Sequence, residues 1–210
     1  MRSVNRQLAI LNWYARKEAV LPIMRWKSLI CSTVLTLLVA ASQASAQGKE
    51  TYTGTMVGVG GRLGGVTRTF TLTINGRTPD SEVTRDVAIL AEGGQDKLLD
   101  EIRNKDLGRF SLGGQLGREL NFVVEDTQSN GDRKIMILFE RWMNLYEVRS
   151  GTRSTDYPFS YVEVIVDRNG RGEGTFIPAA RVRFNKKNEV EVENFGIYPA
   201  RLAGVRLRKS

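Results

Sequence analysis

A chain of 210 residues with one cysteine and no histidine cannot close an intrachain disulfide, build an imidazole metal site, or run Ser-His-Asp or Cys-His chemistry. Carboxylates, Lys, Tyr and Arg are the groups left for catalysis, and no metal or cofactor is expected. The formal charge of +8, from 31 basic and 23 acidic residues, points toward nucleic acid until its distribution along the chain is considered.

Met24 to Ala46 reads as an export leader. Arg25 and Lys27 supply a positive start, Ser28 to Ala41 an apolar run of 14 residues, and Ala44-Ser45-Ala46 a small-residue cleavage site that leaves Gln47 as the first mature residue. A spanning helix needs about 20 apolar residues, so the run is too short for an anchor. Residues 1–23 are read as a start codon placed too early or an extended n-region. Cys31 follows the bulky Ile30, which argues against a lipid anchor, and it leaves with the leader.

Removing residues 1–46 takes six basic residues and one acidic one, so 25 stand against 22 and the net charge falls to +3. The case for a nucleic-acid partner weakens with it. The 164 residues from 47 to 210 suffice for one domain with a sizeable core, and no transmembrane helix is expected in them. An exported chain held without disulfides suits a periplasmic or extracellular bacterial protein.

All 21 glycines lie beyond the leader, many in pairs, which is the punctuation of short strands and tight turns. Thr51–Val59 and Val66–Asn75 flank GVGGRLGG; Phe70, Leu72 and Ile74 alternate with Thr69, Thr71 and Thr73, the period of a strand with one apolar face. A strand follows the glycine loop where a phosphate-binding loop would open a helix, so a hairpin is expected.

After NGRTPD the period changes. With Asp80 as N-cap, Val83, Val87 and Leu90 recur at helical spacing up to Gly93-Gly94, and Leu98, Leu99 and Ile102 share a face beyond it. Two short helices joined at the double glycine are expected, with a strand over Glu82–Ala91 as the alternative.

From Gly108 onward the pattern is strand and turn. Asn130-Gly131 signals a two-residue hairpin, predicting Phe122 opposite Phe139 and Val124 opposite Ile137. Lys134–Trp142 is apolar on both faces, as a central strand is. A second hairpin turns at Asn169-Gly170. A third, around Asn185-Lys186-Lys187, predicts Val182 opposite Val190, with Arg183 facing Glu189 and Arg181 facing Glu191. The last strand, Arg201–Arg208, extends that charged face. The expected fold is α+β and predominantly β: one antiparallel sandwich or partial barrel of about eight or nine strands with a short two-helix insert near residues 80–105.

Aromatic and charged residues are densest between Glu140 and Tyr161. Trp142, Tyr146, Arg149, Arg153, Asp156 and Tyr157 are the candidate ligand-binding residues, for a small molecule, a glycan or an envelope protein. The competing reading makes the aromatics core and the charges strand-end ion pairs. Two carboxylates suffice for glycoside hydrolysis, so Glu140, Glu147 and Glu163 are the catalytic candidates for that chemistry. The segment DRNGRGE is read as a turn, since Arg171 stands where a calcium loop needs an oxygen. An outer-membrane component is the further alternative; the helical insert and the charged C-terminus argue against a membrane barrel. The favoured function is an exported, non-catalytic binding or structural domain.

Overall fold

The computed structural model describes residues 48–60, 64–141, 153–187, 189–195 and 199–208. The leader at 24–46 and the residues before it lie outside these, as do Trp142, Tyr146, Glu147 and Arg149. The described strands are β1 (Glu50–Val57), β2 (Thr67–Ile74), β3 (Gly108–Leu112), β4 (Arg118–Glu119), β5 (Phe122–Thr127), β6 (Arg133–Glu140), β7 (Phe159–Val166), β8 (Arg171–Phe184), β9 (Val190–Asn194) and β10 (Ala200–Leu207). One helix, α1 (Asp80–Ile102), stands between β2 and β3. Among the described residues no helix is long and apolar enough to cross a membrane.

All strand pairs are antiparallel, in the order β4-β3-β2-β1-β10-β8-β7-β6-β5, with β9 paired to β8 off this path. The two ends of the path are consecutive in the chain. Leu120 accepts from the Leu107 N–H and donates to the Gly108 carbonyl, while the next residue, Asn121, donates its N–H to Leu138 of the opposite edge. The stretch 118–127 therefore pairs with β3 over its first half and with β6 over its second, and the sheet closes on itself. With β4 and β5 taken as one stave and β9 set aside, the ten strands form a ring of eight.

Asn121 makes that exchange possible. Buried at the junction, its side chain accepts the Glu140 N–H (2.8 Å) and donates to the carbonyls of Arg103 (3.0 Å) and Lys105 (2.9 Å), tying the end of α1 to the barrel. A buried amide with all these partners satisfies backbone groups that the stave switch leaves without ladder bonds.

Every stave points side chains inward. Tyr52, Met56, Leu72, Ile74, Leu120, Ile135, Val162 and Leu202 belong to this interior. The Phe110 ring lies 5.9 Å from that of Phe70, 6.0 Å from Phe139 and 5.2 Å from Phe176, so aromatics from separate staves meet across the lumen. Side chains fill the barrel, as small barrels require. At Gly172, inward on β8, an added Cβ would overlap the Ile165 carbonyl oxygen, so β7 and β8 approach closely only because that position lacks a side chain.

The second core lies outside the ring. Val83, Leu90, Leu98, Leu99 and Ile102 of α1 pack on the outer faces of β5 to β9, against Phe122, Val124, Met136, Leu138, Val182 and Val192 among others. This explains the two-sided apolar pattern of β6, which sits between β5 and β7 as a central strand. On β1 and β2 the outer face carries threonines, and the alternation predicted there holds: Phe70, Leu72 and Ile74 are buried.

Four local expectations are corrected. The Asn130-Gly131 turn holds three residues: Gln128 donates to Asp132 and Gly131 to Gln128, with Gly131 at φ 86°. Phe122 therefore faces Leu138 and Val124 faces Met136; the slip of one residue sends Phe122 and Val124 to the helix-covered face and Val123 into the lumen. In the third hairpin Asn185 donates to Glu189, so the loop begins one residue later; Val182 faces Val192, Arg183 faces Glu191 and Arg181 faces Glu193. This shift is two residues, so the apolar and charged faces stay as predicted. β10 does not extend that ladder. It lies between β1 and the first half of β8. Finally, Pro79 occupies the N-cap without a side-chain capping bond, and Asp80 is the first helical residue. The two-arm helix is present, since Gly94 (φ 73°, ψ −174°) departs from helical geometry inside α1.

Candidate functional site

The stretch from Glu140 to Tyr161 contributes mainly structural contacts among its described residues. Arg153 opens a 3-10 turn, Arg153–Asp156. Asp156 is exposed and its carbonyl accepts from Gln95 (2.8 Å). Tyr157 is buried; its hydroxyl donates to Glu193 (3.0 Å), its ring lies 5.0 Å from Phe195, and its carbonyl accepts from Arg141 (2.9 Å). These bonds fasten the segment to β9 and α1.

Of the carboxylate candidates, Glu147 lies outside the described residues, and Glu140 and Glu163 stand apart. Glu140 ends β6, exposed, with Arg103 at 3.9 Å. Glu163 is buried on the outer face of β7, where it accepts from Tyr161 (2.8 Å) and meets Lys134 at 3.1 Å. Burial first, and then the adjacent carboxylate, pushes the Tyr161 hydroxyl well above its ordinary value. In the β6–β7 ladder Glu140 faces Phe159, four residues from Glu163, which is about 13 Å along a strand. Glycosidase carboxyl pairs stand about 5–9.5 Å apart. Each of these two groups is instead engaged by its own cation.

The barrel end carrying the β5–β6 and β7–β8 turns holds the clearest charged features. Arg77 and Arg133 each contact both Glu50 and Glu125, with Arg77–Glu50 at 2.9 Å, Arg77–Glu125 at 2.7 Å and Arg133–Glu50 at 2.9 Å. Tyr52 donates to Glu50 as well (2.7 Å). Two cations and two anions close one half-buried network with no charge left over. Burial alone would raise the Glu50 carboxyl; hydrogen bonds from Tyr52 and Arg133 and the nearby Arg77 outweigh it and hold the group below its ordinary value. Glu125 behaves likewise through Arg133 and Arg77.

Beside this network the charges do not cancel. Arg168, Asn169, Gly170, Arg171, Arg206 and Leu207 line an open cleft of about 700 Å³. Arg206 of β10 is in register with Arg171 of β8. Like charges directly opposite on a ladder destabilise it; the carboxylate set against them is Asp167, across from Arg171 on the β7 side and within electrostatic reach of it. Arg201, on the same strand, is matched by Glu173 at 2.7 Å. Asp167, at the base of the turn, accepts the N–H groups of Asn169 (2.8 Å) and Arg171 (2.9 Å). Those backbone bonds, Arg171's first, hold its carboxyl below the ordinary value. DRNGRGE is thus a hairpin turn, and among the described residues no group of three or more acidic or cysteine side chains is placed to hold a metal ion.

The sequence reading missed the cleft because Arg171 and Arg206 are 35 positions apart and Arg206 was expected to continue the β8–β9 face. Only the insertion of β10 between β1 and β8 brings them together. Under α1 a pocket of about 20 Å³ beside Asp86 is water-sized, and an open groove of about 460 Å³ follows Ile89, Gly93, Lys97 and Glu101 on the helix itself. Comparison of the chain with known protein families, curated proteins and solved structures finds no match.

Proposed function

We propose that this chain is an exported, non-catalytic binding domain that meets an anionic ligand on the outside of its barrel, at the end carrying Arg168, Arg171 and Arg206. The observation that carries the reading is the in-register pair Arg171 and Arg206, placed in an open cleft with Arg168, where three arginines stand against the one carboxylate of Asp167. A filled lumen supports an external site over an internal one. Export rests on the leader at 24–46, with its charged start, apolar run and small-residue cleavage site.

Chromatography on a sulfated polysaccharide matrix tests the reading. The processed protein should be retained at low salt, and the charge-reversed variant R171E/R206E should elute at clearly lower ionic strength. Equal elution of the two proteins would refute a ligand surface at this end. N-terminal sequencing of the exported form should find a start near Gln47; intact protein retained in the cytosol would refute export.

A further inference from the structure

From the arginine cleft we infer the class of ligand: a dianionic phosphate group, held between Arg171 and Arg206 with Arg168 closing one side. The inference rests on the external-site reading above and adds the chemistry of what binds there.

The geometry of the pair selects the anion. Residues in register on adjacent strands have Cβ atoms about 4.5–5.5 Å apart, so two guanidinium forks rise side by side from Arg171 and Arg206. Each fork presents parallel N–H donors that match two oxygens of one anion. A carboxylate has two oxygens and is occupied by a single fork. A phosphate monoester has three terminal oxygens and about −1.5 to −2 charges, enough to engage both forks and to cancel the repulsion between them. Acetate would leave most of that repulsion in place.

Arg168 stands beside the pair as a third donor. A Cβ at Gly131 would lie 2.7 Å from Arg168 Nη2, 2.8 Å from Nε and 3.2 Å from Cζ, so the guanidinium lies against the neighbouring turn with its Nε–Nη2 edge toward Gly131. The turn that carries it is itself anchored: Leu207 donates its N–H to the Gly170 carbonyl (2.7 Å), and a Cβ at Gly170 would meet the Leu207 Cβ at 2.5 Å. The turn carrying Arg168 and the strands carrying Arg171 and Arg206 are therefore held to one another by backbone contacts, so the three guanidinium groups rise from one end of the barrel.

Thermal unfolding of the processed protein, titrated with inorganic phosphate or acetate at matched ionic strength, tests this. Phosphate should raise the midpoint and acetate should not. R171Q and R206Q should each weaken the phosphate effect by roughly tenfold or more in apparent affinity. Without phosphate R206Q should unfold at or slightly above the wild-type temperature, because it removes a like-charge contact, and R171Q, which also gives up its attraction to Asp167, should stay near it; this separates lost binding from lost folding. Co-sedimentation with phosphatidylcholine vesicles, with or without phosphatidic acid, identifies the source. Capture by phosphatidic acid that R206Q abolishes assigns a lipid-borne phosphate, and phosphate protection without capture assigns a soluble ester; both support the inference. Equal protection by acetate would overturn the phosphate class while leaving an anion-binding surface intact. No response to either anion, together with unchanged elution of R171E/R206E from the sulfated matrix, would overturn both readings.

Discussion

Lys134 Nζ and Glu163 Oε2 stand 3.1 Å apart on the outer face of β6 and β7, both buried, with the Tyr161 hydroxyl donating to the same oxygen at 2.8 Å. Such a pair is costly to break and cheap to replace. Removing one charge leaves the other in a poorly solvated place, at a cost of about 3–5 kcal/mol, whereas replacing both by apolar groups of similar volume is often neutral or stabilising. K134M should therefore lower the urea midpoint strongly, because it leaves the Glu163 carboxylate buried without its cation, and K134M/E163L should recover most of the loss. Equal losses in the single and double variants would show that the pair is net stabilising.

The network of Glu50, Arg77, Glu125 and Arg133 predicts the acid limb of the stability curve. Both carboxyls are held below their ordinary value near 4.5. A carboxyl depressed in the folded state binds its proton less readily there than in the unfolded chain. Its contribution is fully present above the unfolded value and is lost as pH falls through the folded one. Unfolding midpoints measured from pH 6 downward should fall below about pH 4.5. E50Q and E125Q should each flatten that decline while lowering stability at neutral pH.

Asp86 carries the opposite sign. It is almost wholly shielded from water, its Oδ1 accepts no hydrogen bond, and Lys105 is 3.3 Å from Oδ2. Burial raises the carboxyl above its ordinary value, and Lys105 only partly offsets this. A group raised in the folded state favours folding most below the unfolded value, near 3.8, and that contribution is lost as pH rises through the folded value. D86N removes the ionisation, so its gain over the wild type should be absent in acid and appear as pH rises. Glu82, 2.8 Å from Lys105, keeps that ammonium paired in the variant. Parallel unfolding curves for the two proteins at every pH would contradict this.

These residues also mark how far the sequence could be read. Period-two alternation in Phe70, Leu72 and Ile74 identified the inward face of β2, because one face of that strand is solvated and the pattern is unambiguous. The same logic failed in β5. Phe122, Val123 and Val124 are all buried, and with both faces apolar nothing in the pattern reports a one-residue slip; the slip came from a third loop residue before Gly131. Closure was illegible for a different reason. It depends on one stretch changing partner at Leu120 and Asn121, a long-range choice that leaves no local signature. The Arg171–Arg206 juxtaposition is a consequence of that topology, so the site could not be found before the strand order was known. The aromatic segment drew notice by composition alone, and Tyr157 there is buried in contacts to Glu193 and Phe195.

Gly93 and Gly94 are neighbours in α1, and substitution should cost stability at each for a different reason. Gly94 adopts φ 73° and ψ −174°, a conformation nearly confined to glycine. An added Cβ would meet nothing within 4 Å there, so the cost of G94A is backbone strain alone, about 1–3 kcal/mol. Gly93 lacks that constraint. A Cβ there would lie 2.7 Å from Lys97 Cγ and 2.9 Å from Lys97 Cβ, and because the Lys97 Cβ is fixed by its own backbone, the turn between them must shift. That shift opposes the gain of about 1 kcal/mol that alanine has over glycine in a helix interior. G93A and G94A should therefore both lower the unfolding midpoint, and G94A should also loosen the packing of Leu98, Leu99 and Ile102 beyond the bend. Replacing Lys97 by glycine separates the two causes: K97G should relieve the G93A loss in a double-variant cycle and leave the G94A loss unchanged. Equal coupling of K97G to both variants would mean that the bend, and not the Lys97 contact, sets the cost at Gly93.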